Sequence, residues 1–180
     1  MKTLYIERST GETRNGNWIR HLDLSTPPDR IIVGTGPGSF AGIRAALAFA
    51  QGYALGRPTC EVLGLPSPCA LAEDGQNIAV VGDARRGKFW IALFSGFNLT
   101  RDIFQIVRAE DLPRVIPEDY KIVTSDADRI ESILKDIFQA RYLGGRLPTA
   151  DGLKRFAEAN PSILKPEPLP IYLNPAVRQD

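Results

Sequence analysis

The residues best suited to chemistry lie in one loop, Gly34-Thr35-Gly36-Pro37-Gly38-Ser39-Phe40-Ala41-Gly42. Glycines at alternate positions let the backbone reach positive φ and turn successive N–H groups toward one point, which suits an anion at a helix N-terminus. Gly34, Gly36, Gly38 and Ser39 are therefore candidate anion-binding or partner-binding residues, and Ser39 also has the right chemistry to cap a helix. Arg44 follows in the first turns of that helix, where a cation opposes the helix dipole unless it meets an acid or a ligand. On spacing alone two readings are level: a phosphate cradle, or a tight strand-to-helix turn without a ligand.

Three familiar motifs fall short in this loop. A triphosphatase loop needs Gly-Lys followed by Ser or Thr, and no lysine is near. A nucleophile elbow needs Gly-x-Ser-x-Gly, whereas Ser39 is followed by Phe40-Ala41. Gly36-Pro37-Gly38-Ser39-Phe40-Ala41 does fit the dinucleotide pattern, with Glu61 near the expected acidic position, so a small nucleotide-binding oxidoreductase is the enzymatic alternative. Against it, Pro37 removes an N–H that a pyrophosphate would use. Elsewhere His21 is the single histidine and Cys60 and Cys69 the two cysteines, which leaves no four-ligand zinc set and no paired-histidine metal site, so neither metal nor cofactor is expected. His21 reads as a surface residue and both cysteines as small core residues.

The elements that must hold this loop follow from pattern. Leu4-Tyr5-Ile6 begins a strand, and the Gly11–Asn17 turn leads to a second through Trp18-Ile19 and Leu22, an opening hairpin. Ile31-Ile32-Val33 is apolar without alternation, the mark of a strand covered on both faces. Ile43, Leu47, Ala50 and Ala54 keep helical spacing up to Gly56. Cys60 to Leu63 is a strand, and Ser67 to Glu73 a short helix. Ile78–Val81 and Phe89–Phe94 form a hairpin whose charged tip is Asp83-Ala84-Arg85-Arg86-Gly87. Asp83, Arg85 and Arg86 are candidate partner-binding residues there, set against a plain solvated turn. Trp90 and Phe94 read as core. Lys121–Thr124 is a further strand and Ile130 to Ile137 a helix, while the chain after Leu143 is Gly- and Pro-rich except for a helix over Gly152–Ala159. Leu169–Pro175 is an edge strand or docked tail. The chain of 180 residues carries 22 basic and 21 acidic side chains, a net charge of +1, which gives no overall attraction to nucleic acid or membrane. With no signal-peptide pattern at its start, it is expected in the cytoplasm.

Around the loop the sequence resembles the TsaB/YeaZ family, whose signature is Gly-x-Gly-Pro-Gly-Ser-Phe-Thr-Gly-Leu-Arg; here Ala41 stands for the threonine and Ile43 for the leucine. Asp83-Ala84-Arg85 is similar to the family's hairpin motif and Pro170-Ile171-Tyr172-Leu173 to its C-terminal one, with Asn174 in place of arginine. The resemblance implies an α/β actin/hexokinase/Hsp70-like (RNase H-like) fold in two lobes, 1–76 with the glycine loop and 77–180, the first lobe reduced. It further implies a non-catalytic scaffold in formation of threonylcarbamoyladenosine on tRNA, supporting a TsaD-type catalytic paralogue alongside a TsaE-type ATPase, with tRNA only an indirect partner. A homodimeric relative without that role is the other outcome. Two departures stand out. Glu7-Arg8-Ser9-Thr10 replaces the family's Asp-Thr-Ser or Asp-Thr-Ala, so its acid is displaced or lost, and only Asp23 to Arg30 remain where relatives have a long helix.

Overall fold

The computed structural model describes residues 1–10, 24–100 and 104–173. The chain divides into two compact units, Met1–Ala70 with Pro148–Ile171, and Leu71–Leu147 with Tyr172–Asp180. The division thus differs from a single cut at 76/77: the chain returns to the first unit after Leu147.

In the first unit, β1 (Thr3–Ile6), β2 (Arg30–Gly34) and β3 (Glu61–Leu65) lie parallel in the order β1-β2-β3. A parallel step from β2 to β3 requires a crossover, supplied by α1 (Phe40–Leu55). Ile31, Ile32 and Val33 are all buried, as an unalternating apolar strand demands. Ile6, Ile31 and Val33 meet Ile43, Ala46, Leu47 and Ala50 of α1 in one core cluster. Gly56 ends α1 in a right-handed conformation, its N–H bonded to the Ala54 carbonyl, instead of the left-handed cap that glycine usually supplies. The second strand of the expected opening hairpin, with His21, lies outside the described residues.

The return segment completes this unit. Thr149 caps α4 (Ala150–Ala159) by accepting from the Gly152 N–H, and Leu153, Phe156 and Ala157, at i, i+3 and i+4, are buried as α4 packs on β1. Gly152 is needed there: a Cβ on it would sit 2.2 Å from the Ala70 carbonyl oxygen. Then β10 (Lys165–Pro166) pairs antiparallel with β3, and Ile171 N donates to Thr35 O at 2.8 Å. Of the C-terminal stretch expected as an edge strand or docked tail, Ile171 is docked on this unit, while Leu169 is exposed.

In the second unit, β4 (Asn77–Arg85) and β5 (Lys88–Ser95) form the antiparallel hairpin, extended beyond β5 by β6 (Asn98–Leu99) and β7 (Gln105–Arg108). After the one-turn α2 (Leu112–Val115), β8 (Lys121–Thr124) adds parallel to β4 and, across α3 (Ala127–Phe138), β9 (Tyr142–Gly145) parallel to β8. β9 corrects the reading of the chain after Leu143 as Gly- and Pro-rich without a strand, and β7 falls on a stretch for which the sequence pattern named no element. Phe89, Ile91 and Leu93 pack with Leu112, Ile122 and Leu134, and Trp90 and Phe94 are buried on the other face of β5, as expected for core.

Phe156 is fully buried. Phe156→Ala is expected to cost about 3–5 kcal/mol in urea unfolding, and Leu169→Ala, at an exposed site, less than about 0.5 kcal/mol. Equal, small effects would remove α4 from the first unit's core.

Candidate functional site

The glycine loop leaves the carboxyl end of β2 and enters α1, and its neighbours come from the end of β1. Ser9 O accepts from Ser39 N at 2.5 Å, Ser67 Oγ accepts from Gly36 N at 3.0 Å, and Leu65 O accepts from Thr35 N at 2.9 Å. Pro37 has no N–H, and the Thr35, Gly36 and Ser39 amides bond to the protein's own chain. The glycines are accounted for by space. A Cβ on Gly38 would lie 2.2 Å from Ser9 O, and one on Gly42 2.2 Å from Arg8 O. Gly36 and Gly38 also have φ of 92° and 155°, the region where side chains are strained. Ser39 caps α1 as expected, accepting from Gly42 N at 3.2 Å. Arg44 is exposed, and its guanidinium lies 4.9 Å from the centre of the Phe40 ring, a cation–π contact.

Glu7 was not among the candidates, and it is the acid of this site. It follows β1 directly, and its Oε1 accepts from Ser9 N at 2.5 Å. A Cβ on Gly34 would lie 1.9 Å from its Oε2, so only glycine admits the carboxyl there. That Oε2 is shut from solvent without a hydrogen-bond partner among the described residues. Burial pushes the Glu7 carboxyl above its ordinary range, against the pull of the Ser9 N–H. The nearby Ser67 hydroxyl pulls the same way as Ser9, although its geometry makes no hydrogen bond to Oε2. The signal in the sequence was an acid closing a half-buried strand 27 residues before Gly34, the first glycine of the loop, which only the pairing of β1 with β2 makes adjacent.

Glu61 settles the dinucleotide alternative. It is the first residue of β3, paired with Arg30 at 2.7 Å. In a parallel sheet that places it at the amino end of the strands, opposite the glycine loop, where it cannot reach a ribose whose pyrophosphate sits on that loop.

The remaining candidates belong to the second unit. Asp83 pins the hairpin tip: Oδ1 accepts from Arg85 N at 2.7 Å, and Oδ2 lies 3.1 Å from Arg85 Nη1 and 3.8 Å from Arg129 Nη1. Asp83 N in turn donates to Asp126 Oδ2 at 2.9 Å. Burial raises the Asp126 carboxyl, opposed by the Asp83 N–H and the Arg129 charge. Cys69 is buried and its thiol is pushed well up by that burial, which disfavours the thiolate a nucleophile needs. Among the described residues no helix is long and apolar enough to cross a membrane.

Comparison with known proteins now adds to this geometry. The fold is similar to that of YeaZ from Pseudomonas aeruginosa, with a TM-score of 0.59 at 20% identity over 89% of this chain and 84% of the other. A second structure, described as an uncharacterized protein with similarity to peptidase YEAZ from Pseudomonas aeruginosa, matches with a TM-score of 0.57 at 20% identity over 90% and 81%. The architecture is therefore the α/β fold of the actin/hexokinase/Hsp70-like class. The family model described as TsaD, tRNA N6-adenosine threonylcarbamoyltransferase, matches residues 20–121. The tRNA threonylcarbamoyladenosine biosynthesis protein TsaB of Buchnera aphidicola subsp. Baizongia pistaciae is 28% identical over 96% of this chain and 83% of its own length. The chain belongs to the TsaD family, and within it to the TsaB/YeaZ type.

Two helix glycines test the account of the loop. Gly52 has nothing within 4 Å of a built Cβ, so Gly52→Ala is expected to stabilise the protein by about 0.5–1 kcal/mol. Gly42→Ala in the same helix should destabilise it, because the methyl meets Arg8 O; equal effects in denaturant would sink the close-packing explanation. Glu7 gives a pH signature. A carboxyl raised by folding contributes stability below its unfolded pKa and loses it as pH rises through the folded value. Glu7→Gln is therefore expected to raise Tm at pH 7, with the gain shrinking as pH falls toward the ordinary glutamate range and gone below it.

Proposed function

We propose that this chain is a non-catalytic scaffold subunit in the formation of N6-threonylcarbamoyladenosine on tRNA, supporting a TsaD-type catalytic paralogue together with a TsaE-type ATPase in the cytoplasm. The tRNA role is carried by the relatedness to TsaB along nearly the whole chain. The single observation favouring a scaffold over a catalyst is the filling of the glycine loop by the backbone of Arg8 and Ser9. An anion cradle needs its amides free, and here those of Thr35, Gly36 and Ser39 hold the loop to its own chain.

The paralogue's docking face, on this reading, is the outer side of α1. Ala41, Ala45, Ala48 and Gly52 are exposed at helical spacing, with Leu55 86% exposed at the end of the same stripe. Small side chains allow a second helix to approach closely, since interaxial distance follows side-chain size at the contact. Phe40 and Arg44 would frame that contact at the amino end.

Co-expression with the TsaD-type paralogue of the same organism, followed by size-exclusion chromatography with light scattering, is expected to give a stable heterodimer. Ala48→Glu should weaken it by more than about tenfold, because an unpaired charge would be buried in the contact. A homodimer indifferent to the paralogue would overturn the scaffold role and leave only the shared fold.

A further inference from the structure

The turn between β4 and β5 is built against its own stability. Arg85 and Arg86 have φ of 69° and 55°, followed by Gly87 at 70°. The left-handed region suits glycine or asparagine in a two-residue hairpin turn, and two consecutive arginines there are strained. A second, independent cost lies alongside. Lys88 of β5 faces Arg108 of β7 directly across the strands, and like charges in that position repel.

The surroundings show how the strain is sustained and which charges remain unspent. Asp83 and Asp126 hold the backbone through the Arg85 and Asp83 N–H groups, and Asp83 also takes the Arg85 and Arg129 guanidinium groups. Among the described residues the one ion pair of Arg108 is an exposed contact to Glu110 at 3.6 Å. Among the described residues no ion pair engages Arg86 or Lys88, and both are exposed. Strain held in place by a supporting network points from geometry to function.

We propose that this tip, Arg86 and Lys88 with Arg108 beside them, binds the phosphodiester backbone of RNA. The inference rests on the tRNA-modification reading above and departs from the expectation that RNA is only an indirect partner. An acidic protein surface is the competing occupant. Around Arg85, Arg86, Gly87, Lys88 and Arg108 the one exposed aliphatic side chain among the described residues is Ile106 of β7, 41% exposed, a single contact and not the buried aromatic cluster that protein interfaces are built around. Phosphate contacts need only cations with free donors, and guanidinium supplies two parallel ones. A net charge of +1 for the whole chain makes such contact local and dependent on salt.

The test is fluorescence anisotropy of labelled bulk tRNA with the full chain, alone and with the TsaD-type paralogue, across a salt series. Arg86→Gly relieves the left-handed strain while deleting the charge, so it should raise Tm by about 2–4 °C. It should also weaken tRNA binding by about three- to tenfold and flatten the salt dependence by about one unit of slope. Lys88→Ser should repeat the loss of affinity without loss of stability. A merely solvated turn predicts the gain in Tm with unchanged tRNA affinity and slope, and that result overturns the proposal, as does absence of tRNA binding by the unsubstituted chain in both settings. Loss of heterodimer with tRNA binding intact would reassign the tip to an acidic protein face. If the chain alone binds tRNA through the tip but no heterodimer forms, the scaffold reading fails and this one stands.

Discussion

The first unit depends on one close approach. The chain leaving β1 passes so near the glycine loop that Gly38 and Gly42 have no room for a Cβ against Ser9 O and Arg8 O. That contact fixes Ser39 through its N–H, and Ser39 fixes the start of α1 through its hydroxyl and its carbonyl. The helix then lays Ile43, Ala46 and Leu47 on β2. Sequence-distant backbone, cap and core are coupled in series, so a methyl group inserted at the first step displaces the last. The carboxyl of Glu7 is drawn in by the same geometry, because the residue that ends β1 faces Gly34 at the end of its neighbour strand.

That coupling explains why the loop was legible as a feature and ambiguous as a site. Local sequence shows glycines at alternate positions, and both a phosphate and a passing main chain demand them for the same steric reason. The discriminating partner, Arg8-Ser9, lies some thirty residues upstream and becomes a neighbour only once β1 and β2 pair. Glu7 was hidden likewise. Its position two residues before Ser9 reads as a displaced acid beside the pattern of relatives, whereas parallel register carries it to the loop. Glu61 shows the opposite error: sequence spacing put it near a dinucleotide position, and register puts it at the wrong end of the strand.

Elements with buried faces announced themselves. The runs of β2, β4, β5 and β8 and the spacing in α1, α3 and α4 are consequences of burial, so pattern and structure agree. β7 and β9 lacked that signature because both are largely open to solvent, with Gln105 and Arg108 exposed in one and the pair Gly144-Gly145 closing the other. Backbone pairing holds such strands, and backbone pairing leaves no mark on side-chain choice. The return of α4 to the first unit was legible as a helix and illegible as a location, since an amphipathic stripe states that it needs a surface without naming which one.

The two units manage polar groups differently, and the difference bears on what each can do. At the glycine loop, donors and the Glu7 carboxyl are turned inward, and the arrangement lowers the exposure of its own backbone. At the β4–β5 turn, Asp126 holds the Asp83 backbone and Asp83 holds Arg85 and Arg129, which keeps an unfavourable backbone conformation in place. Folding alone gains little from that second arrangement, because glycine at the position of Arg86 would satisfy the turn and a neutral residue at Lys88 would relieve Arg108. A site that stabilises the fold and a site that taxes it are thus present in one chain. The asymmetry is physical: the glycine loop spends its polar groups on architecture, and the hairpin tip leaves its cations facing solvent.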